Sequence, residues 1–252
     1  MRGLITGASW GSGREIARRV AGGGYDMILC ARRGERLRQL AAELPTHCHV
    51  IAADISDETE CRLLYQAARS DDLEVVVNNA GFGLFGRFDE TDLDAELRMI
   101  DLNIRAVHIL TKLAVQDFEK RGRGYVLNVA SSAGFLPGPL MATYYATKNY
   151  VLRLTQAIRE ELRRSGSAVK VCALCPGPVD TEFNKVAGVR FALGGLTAQR
   201  VAREAVDGLF AGKGVVVPGA AMKAMTIARH FAPDTLLARV TYHFQHKKGG
   251  KA

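Results

Sequence analysis

Short, continuous apolar runs recur along the chain, separated by longer stretches in which apolar residues return every three or four positions. The runs fall at residues 4–6, 27–30, 49–52, 75–78, 125–128, 169–173 and 215–217. They are apolar at successive positions instead of alternating. A strand reads this way when both of its faces are covered, as in a parallel sheet between helices. The helical stretches cover 15–21, 34–44, 57–70, about 92 to 121 with a break midway, 142–164 and 197–211. Asp57 stands at an N-cap, Pro45 follows the second helix, and Gly122, Gly166 and Gly212 follow later ones. Strand and helix alternate throughout. This predicts βαβ units and an α/β, doubly wound fold: a single parallel sheet of about seven strands with helices on both faces. Residues 1–218 form the main body. Residues 219–252 are a helical extension of the same domain, expected as two short helices split near Pro233.

Composition narrows the class. The chain has 252 residues, 48% hydrophobic and 24% charged, ordinary for a soluble globular domain with a real core. No apolar run approaches the roughly 20 residues needed to span a bilayer. Residues 1–7 are too short and glycine-rich to read as a signal peptide. Five scattered cysteines do not form a secreted disulfide framework, so a cytoplasmic location is expected. The net charge of +8 is concentrated at the end: six Lys and Arg stand against one Asp from Gly219 onward. The main body therefore carries no basic face of the kind nucleic acid requires.

Candidate chemistry begins at the first strand, which runs into Thr6-Gly7-Ala8-Ser9-Trp10-Gly11-Ser12-Gly13 and then a helix. Glycines spaced G-x3-G-x-G in that context turn tightly, bring backbone N–H groups to a pyrophosphate and aim a helix N-terminus at it. Tyr144 and Lys148 are four apart on a helix and share one face. An ammonium beside a phenol favours the phenolate, which suits acid–base work. Asn78-Asn79-Ala80-Gly81 follows the fourth strand, and Pro176-Gly177-Pro178-Val179-Asp180-Thr181 follows the sixth.

Together, and in this order, these motifs resemble those of the short-chain dehydrogenase/reductase (SDR) family over roughly residues 3 to 217. The resemblance implies an oxidoreductase in which Tyr144 is the general acid/base for a carbonyl/alcohol pair. Lys148 would tune it and bind the nicotinamide ribose. A serine would hydrogen-bond the substrate oxygen; Ser131, thirteen residues before the tyrosine, is preferred over Ser132. Asn103 would hold a water linking Lys148 to solvent. The implied cofactor contacts are Gly7, Ser9, Trp10, Gly11, Ser12 and Gly13 in the loop and Asp54 and Ile55 at the adenine. Asn79, Ala80 and Gly81 follow, with Tyr144 and Lys148, then Pro176, Gly177 and Val179, and Thr181 at the carboxamide. The resemblance also implies a homodimer or homotetramer.

The end of the second strand carries Arg32 and Arg33 and no acid, which favours the 2′-phosphate of NADP(H) over NAD(H). Candidate pocket walls are Phe82, Phe85, residues 136–141 and residues 183–196, mostly apolar, which points to an apolar aldehyde or ketone, or its alcohol. Cys172 and Cys175, three apart on a strand, fall on opposite faces and read as buried thiols, and no histidine spacing suggests a metal. Leu236, Leu237, Val240 and Phe244 share one helical face in the tail. That face would cover the substrate cleft or pack in an oligomer interface; the alternative is peripheral contact with an anionic membrane or a partner helix. The rival to an enzyme is an NADP(H)-binding regulator on the same fold without turnover.

Overall fold

The computed structural model describes residues 1–179 and 195–248. The apolar runs become β1 (Arg2–Thr6), β2 (Asp26–Ala31), β3 (Cys48–Ala52), β4 (Leu73–Asn78), β5 (Tyr125–Val129), β6 (Lys170–Leu174) and β7 (Val215–Val216). They form one sheet in the order β3-β2-β1-β4-β5-β6-β7, and each neighbouring pair is parallel. Between them run α1 (Gly11–Ala21), α2 (Gly34–Glu43), α3 (Glu58–Ala68), α4 (Leu93–Ile100), α5 (Val107–Arg121), α6 (Ala142–Arg164) and α7 (Ala198–Phe210). The tail supplies α8 (Ala220–Ala228) and α9 (Asp234–Lys248).

The unbroken apolar runs follow from the two layers they face. Successive strand side chains point to opposite sides of the sheet. In β4, Val75 and Val77 pack with Ile16 and Val20 of α1, Leu40 of α2 and Leu209 of α7. Val76 packs on the other side with Leu64 of α3 and Leu110 and Phe118 of α5. Each of these side chains is fully or almost fully buried, and such burial contributes roughly 1.5–3 kcal/mol per side chain.

The helix ends follow local chemistry. Asp57 Oδ1 accepts from the Glu60 N–H (2.9 Å) and caps α3. Gly122 closes α5 with φ 68°. Two expectations need correcting. α1 begins at Gly11, four residues earlier than periodicity suggests, because the glycine loop itself supplies the first turn. The second tail helix is not short: α9 has 15 residues, since Pro233 lies just outside its start, where its missing N–H costs nothing. The midway break is a π-helical turn at Asp101–Ala106 that joins α4 to α5.

A buried polar cluster ties β4, β5, α5 and α6 together. Asn128 Oδ1 accepts from Asn78 Nδ2 (2.8 Å) and Thr111 Oγ1 (3.0 Å), and Asn128 Nδ2 donates to Thr155 Oγ1 (3.0 Å). None of the four residues is more than 1% exposed. Asn128→Leu removes one hydrogen bond from each of three buried partners, so we expect a loss of about 3 kcal/mol. Urea unfolding should show a lower midpoint at unchanged slope; an unchanged midpoint would mean the cluster contributes nothing to stability.

Candidate active site

A cleft of about 1220 Å³ runs along the carboxyl ends of the strands, lined by the loops that follow β1 to β6 and by the tail. In a doubly wound sheet this is where ligands bind, at the point where strand order reverses. Here that point lies between β1 and β4.

The glycine loop is fastened to the end of β4. Thr6 Oγ1 accepts from the N–H groups of Asn79 (3.0 Å) and Ala80 (3.1 Å). Asn79 Nδ2 donates to the carbonyls of Thr6 and Gly7, each at 3.1 Å. This close approach explains two glycines. Gly7 adopts φ 66°, and a Cβ on it would stand 2.8 Å from Ala80 Cα. A Cβ on Gly13 would collide with the Asn79 amide and the Gly7 carbonyl. Trp10, at the N-cap of α1, is extended and makes no side-chain cap bond, so it does not occupy the N–H groups of the first turn.

α6 places Tyr144 and Lys148 one turn apart on its buried side, and the end of β5 brings Ser131 to them. The Ser131 hydroxyl is hydrogen-bonded to the Tyr144 oxygen. Ser131 Oγ also accepts from the Ala133 N–H (3.1 Å), which fixes it. Ser132 lines the cleft too, with its N–H donating to the Pro176 carbonyl (2.8 Å). Lys148 Nζ donates to the Val129 carbonyl (2.9 Å) and lies 5.9 Å from the Tyr144 ring centroid.

The electrostatics reverse one expectation. Burial pushes the Tyr144 phenol well above its ordinary value, with the Ser131 hydrogen bond pulling only partly back. Burial likewise lowers the Lys148 ammonium to about 8. In the protein alone desolvation thus decides the direction at both groups, which sit in the same dry wall. Tyr144 is therefore a protonated donor at neutral pH. Asn103 lies on the π-helical turn and is fully buried behind the cleft. Its Nδ2 donates to the Phe82 carbonyl (2.9 Å) and Thr147 Oγ1 (3.1 Å), and its Oδ1 accepts from the Phe82 N–H (3.1 Å). Both amide N–H groups are therefore engaged with protein, and the side chain fixes the loop after β4.

The structure brings nearly all the other expected residues to this cleft. Ser9, Ser12, Arg32, Arg33, Asp54, Ile55, Gly81, Pro176, Gly177 and Val179 line it. Gly11 and Gly13 lie just behind, in the first turn of α1, and Thr181 lies outside the described residues. Arg32 is largely exposed, with Nη1 3.8 Å from Asp54 Oδ2. Asp54 Oδ1 accepts from Ser56 Oγ (2.7 Å), whereas Asp57 is the helix cap.

The other half of the cleft is apolar. Phe82, Leu136 and Met141 reach it, while Phe85 packs behind, against the cluster around Tyr144. Of the expected segment 183–196, only 195 and 196 are described, and Leu196 pairs with Val179. The tail closes the cleft with Met222, Met225, Leu237, Val240 and Phe244. The polar residues Arg229, Thr241 and Gln245, which line it as well, were not singled out in the sequence. The signal was present: Leu237, Thr241 and Gln245 are spaced by four, one stripe of a helix. Cys172 and Cys175 are buried in different clusters, Cys175 beside α6, and burial pushes both thiols up to about 12.

Tyr144, Lys148 and Ser131 thus meet in one cleft with the glycine loop. A family model described as short chain dehydrogenase matches residues 3–189, and the chain belongs to the short-chain dehydrogenase/reductase family. Sulfoacetaldehyde reductase 2 of Chromohalobacter salexigens is 36% identical over 191 residues, 73% of this chain and 74% of that one. A short-chain dehydrogenase from Sphingobium yanoikuyae, solved in complex with NADPH, superimposes with TM-score 0.81 at 31% identity, covering 90% of this chain and 93% of that one. A 3-ketoacyl-(acyl-carrier-protein) reductase from Brucella melitensis, complexed with NADH, gives TM-score 0.76 at 28% identity, covering 85% and 94%.

The buried ammonium carries a stability consequence. Its value in the folded protein, about 8, lies below the ordinary 10.5, so the folded state binds the proton less well than the unfolded one. The penalty is full below pH 8 and fades as pH rises to 10.5. We expect Lys148→Met to raise stability at pH 7 by about 1–3 kcal/mol, the lost bond to Val129 offsetting part of the gain. The gain should shrink towards pH 10. Thermal unfolding across pH checks this, and destabilisation at pH 7 would contradict it.

Proposed function

We propose that the protein is an NADP(H)-dependent oxidoreductase acting on an apolar aldehyde or ketone, or on the corresponding alcohol. The observation that carries this reading is the convergence of three features in one cleft: the glycine cradle, the apolar wall, and Tyr144 hydrogen-bonded to Ser131. A Cβ at Gly7 would be driven into Asn79 and Ala80 and one at Gly13 into Asn79 and the Gly7 carbonyl, so both stay bare in a tight turn opening a helix, the arrangement that suits a pyrophosphate. When bound, the reduced nicotinamide supplies the hydride.

The chain's own groups do the rest. Ser131 steadies the substrate oxygen by hydrogen bonding. Tyr144 donates its proton to that oxygen in the reductive direction and accepts it in the oxidative one. Lys148, held by the Val129 carbonyl, holds positive charge beside the tyrosine and binds the ribose. Asn103 positions the loop at Phe82 and the Thr147 hydroxyl on α6, keeping the wall in register. Arg32, and next to it Arg33, would bind the 2′-phosphate, and Asp54 the adenine. Support for NADP(H) is the exposed guanidinium of Arg32 at the end of β2, held only loosely by Asp54 Oδ2 at 3.8 Å.

Two outcomes test this. Purified protein should oxidise NADPH in the presence of medium-length or cyclic ketones. Tyr144→Phe should lose about 10²–10⁴-fold in kcat while binding NADPH as before. Absence of turnover across a graded ketone and aldehyde panel would overturn the reading. Arg32→Ala should weaken NADPH roughly tenfold and leave NADH nearly unchanged, the signature of a lost phosphate contact. An equal effect on both nucleotides, read by fluorescence titration, would remove Arg32 from that role.

A further inference from the structure

The apolar half of the cleft contains one polar arrangement that the proposed chemistry does not use. Gln245, on α9, is 2% exposed. Its Nε2 donates to the Tyr145 hydroxyl at 2.6 Å. Its Oε1 is buried and has no hydrogen-bond partner among the described residues. A buried carbonyl without a donor costs roughly 1–3 kcal/mol, and a leucine at this position would fill similar space without that cost. Tyr145 follows Tyr144 on α6, and the two rings meet edge-on with centroids 6.2 Å apart. Both Tyr145 and Gln245 line the cleft. Because the Tyr145 oxygen accepts from Gln245, its own O–H remains available to donate. The pair therefore offers one donor and one acceptor, set among Met141, Leu237 and Phe244.

We propose that Tyr145 and Gln245 form a second polar subsite that recognises a hydroxyl group on the substrate, remote from the reacting carbon. The substrate class is then a bulky, mostly apolar ketone or alcohol bearing a second hydroxyl. This inference rests on the proposed function and deepens it. A hydroxyl is the group that completes both halves of the pair, since it accepts from the Tyr145 O–H and donates to Gln245 Oε1. An oxo group satisfies only the tyrosine, and a hydrocarbon satisfies neither. A site built in this way rejects the analogue that lacks the group, because its own polar atoms are left desolvated and unpaired. The tail thereby sets specificity from outside the catalytic centre. Gln245 lies 100 residues from Tyr145, and its hydrogen bond holds α9 over the cleft.

The test compares two fused-ring ketones that differ by one remote hydroxyl, with wild type, Tyr145→Phe and Gln245→Leu. Two readouts are taken: kcat/KM with NADPH, and affinity by calorimetry on protein saturated with NADP+. We expect wild type to favour the hydroxylated ketone by at least about 30-fold in both, and each variant to reduce that ratio to about threefold or less. Thermal unfolding of each variant confirms that it is folded, and either variant alone suffices. Equal ratios in wild type and variants, or no preference in wild type, would overturn the subsite while leaving the reductase reading intact. A preserved binding preference without hydride transfer would do the reverse. Stronger preference for a ketone carrying a carboxylate would place recognition at Arg229 and would also overturn the pair.

Discussion

One hydroxyl stands at the point on which the site depends. Thr6 ends β1 where the strand order reverses, is 1% exposed, and donates to the Val77 carbonyl (3.3 Å) while accepting from the N–H groups of Asn79 and Ala80. Through it the start of the glycine loop and the end of β4 are one rigid piece. The requirement for bare glycines follows from this closeness and not from the loop alone: Gly7 and Gly13 meet Asn79 and Ala80, the residues that Thr6 holds in place. Asn78, the next residue back, is fixed from below by the cluster around Asn128. The cradle thus rests on a chain of hydrogen bonds that continues into the sheet and into α6, the helix of Tyr144 and Lys148.

The catalytic wall illustrates how burial and function oppose each other. Tyr144 and Lys148 are 8% and 5% exposed, and each is displaced by desolvation towards its neutral form. For Tyr144 that displacement suits a proton donor. For Lys148 it is a standing cost, partly offset because the Val129 carbonyl accepts a hydrogen bond from its Nζ. Such local instability at reacting groups is an expected trade against activity.

Much of this was legible in the sequence, for identifiable reasons. Strands covered on both faces have apolar residues at every position, so β1, β4 and β6 stood out, and glycine marked the end of α5. Tyr144 and Lys148 could be paired because a spacing of four is unambiguous on a helix; Tyr145 lacks a lysine at that distance. Other features could not be read. The break midway between residues 92 and 121 was legible, but not that it is a π-helical turn that aims Asn103 at Phe82 and Thr147. The balance between charge and burial at Tyr144 depends on depth, which spacing does not encode. Gln245 and Thr241 were passed over because the search of α9 followed apolar residues, and the stripe facing the cleft mixes both kinds. The partner of Gln245 lies 100 residues away, on α6.

The placement of α8 and α9 has a consequence for how the molecule comes into being. Ser131, Tyr144, Lys148 and the described glycine-loop and Arg32 contacts all precede residue 180, whereas Leu237, Phe244 and Gln245 belong to the last stretch described. Synthesis proceeds from the amino end, and domains acquire structure as the chain emerges. The glycine loop, Ser131, Tyr144 and Lys148 are therefore made before α8 and α9, the helices that complete one side of the cleft.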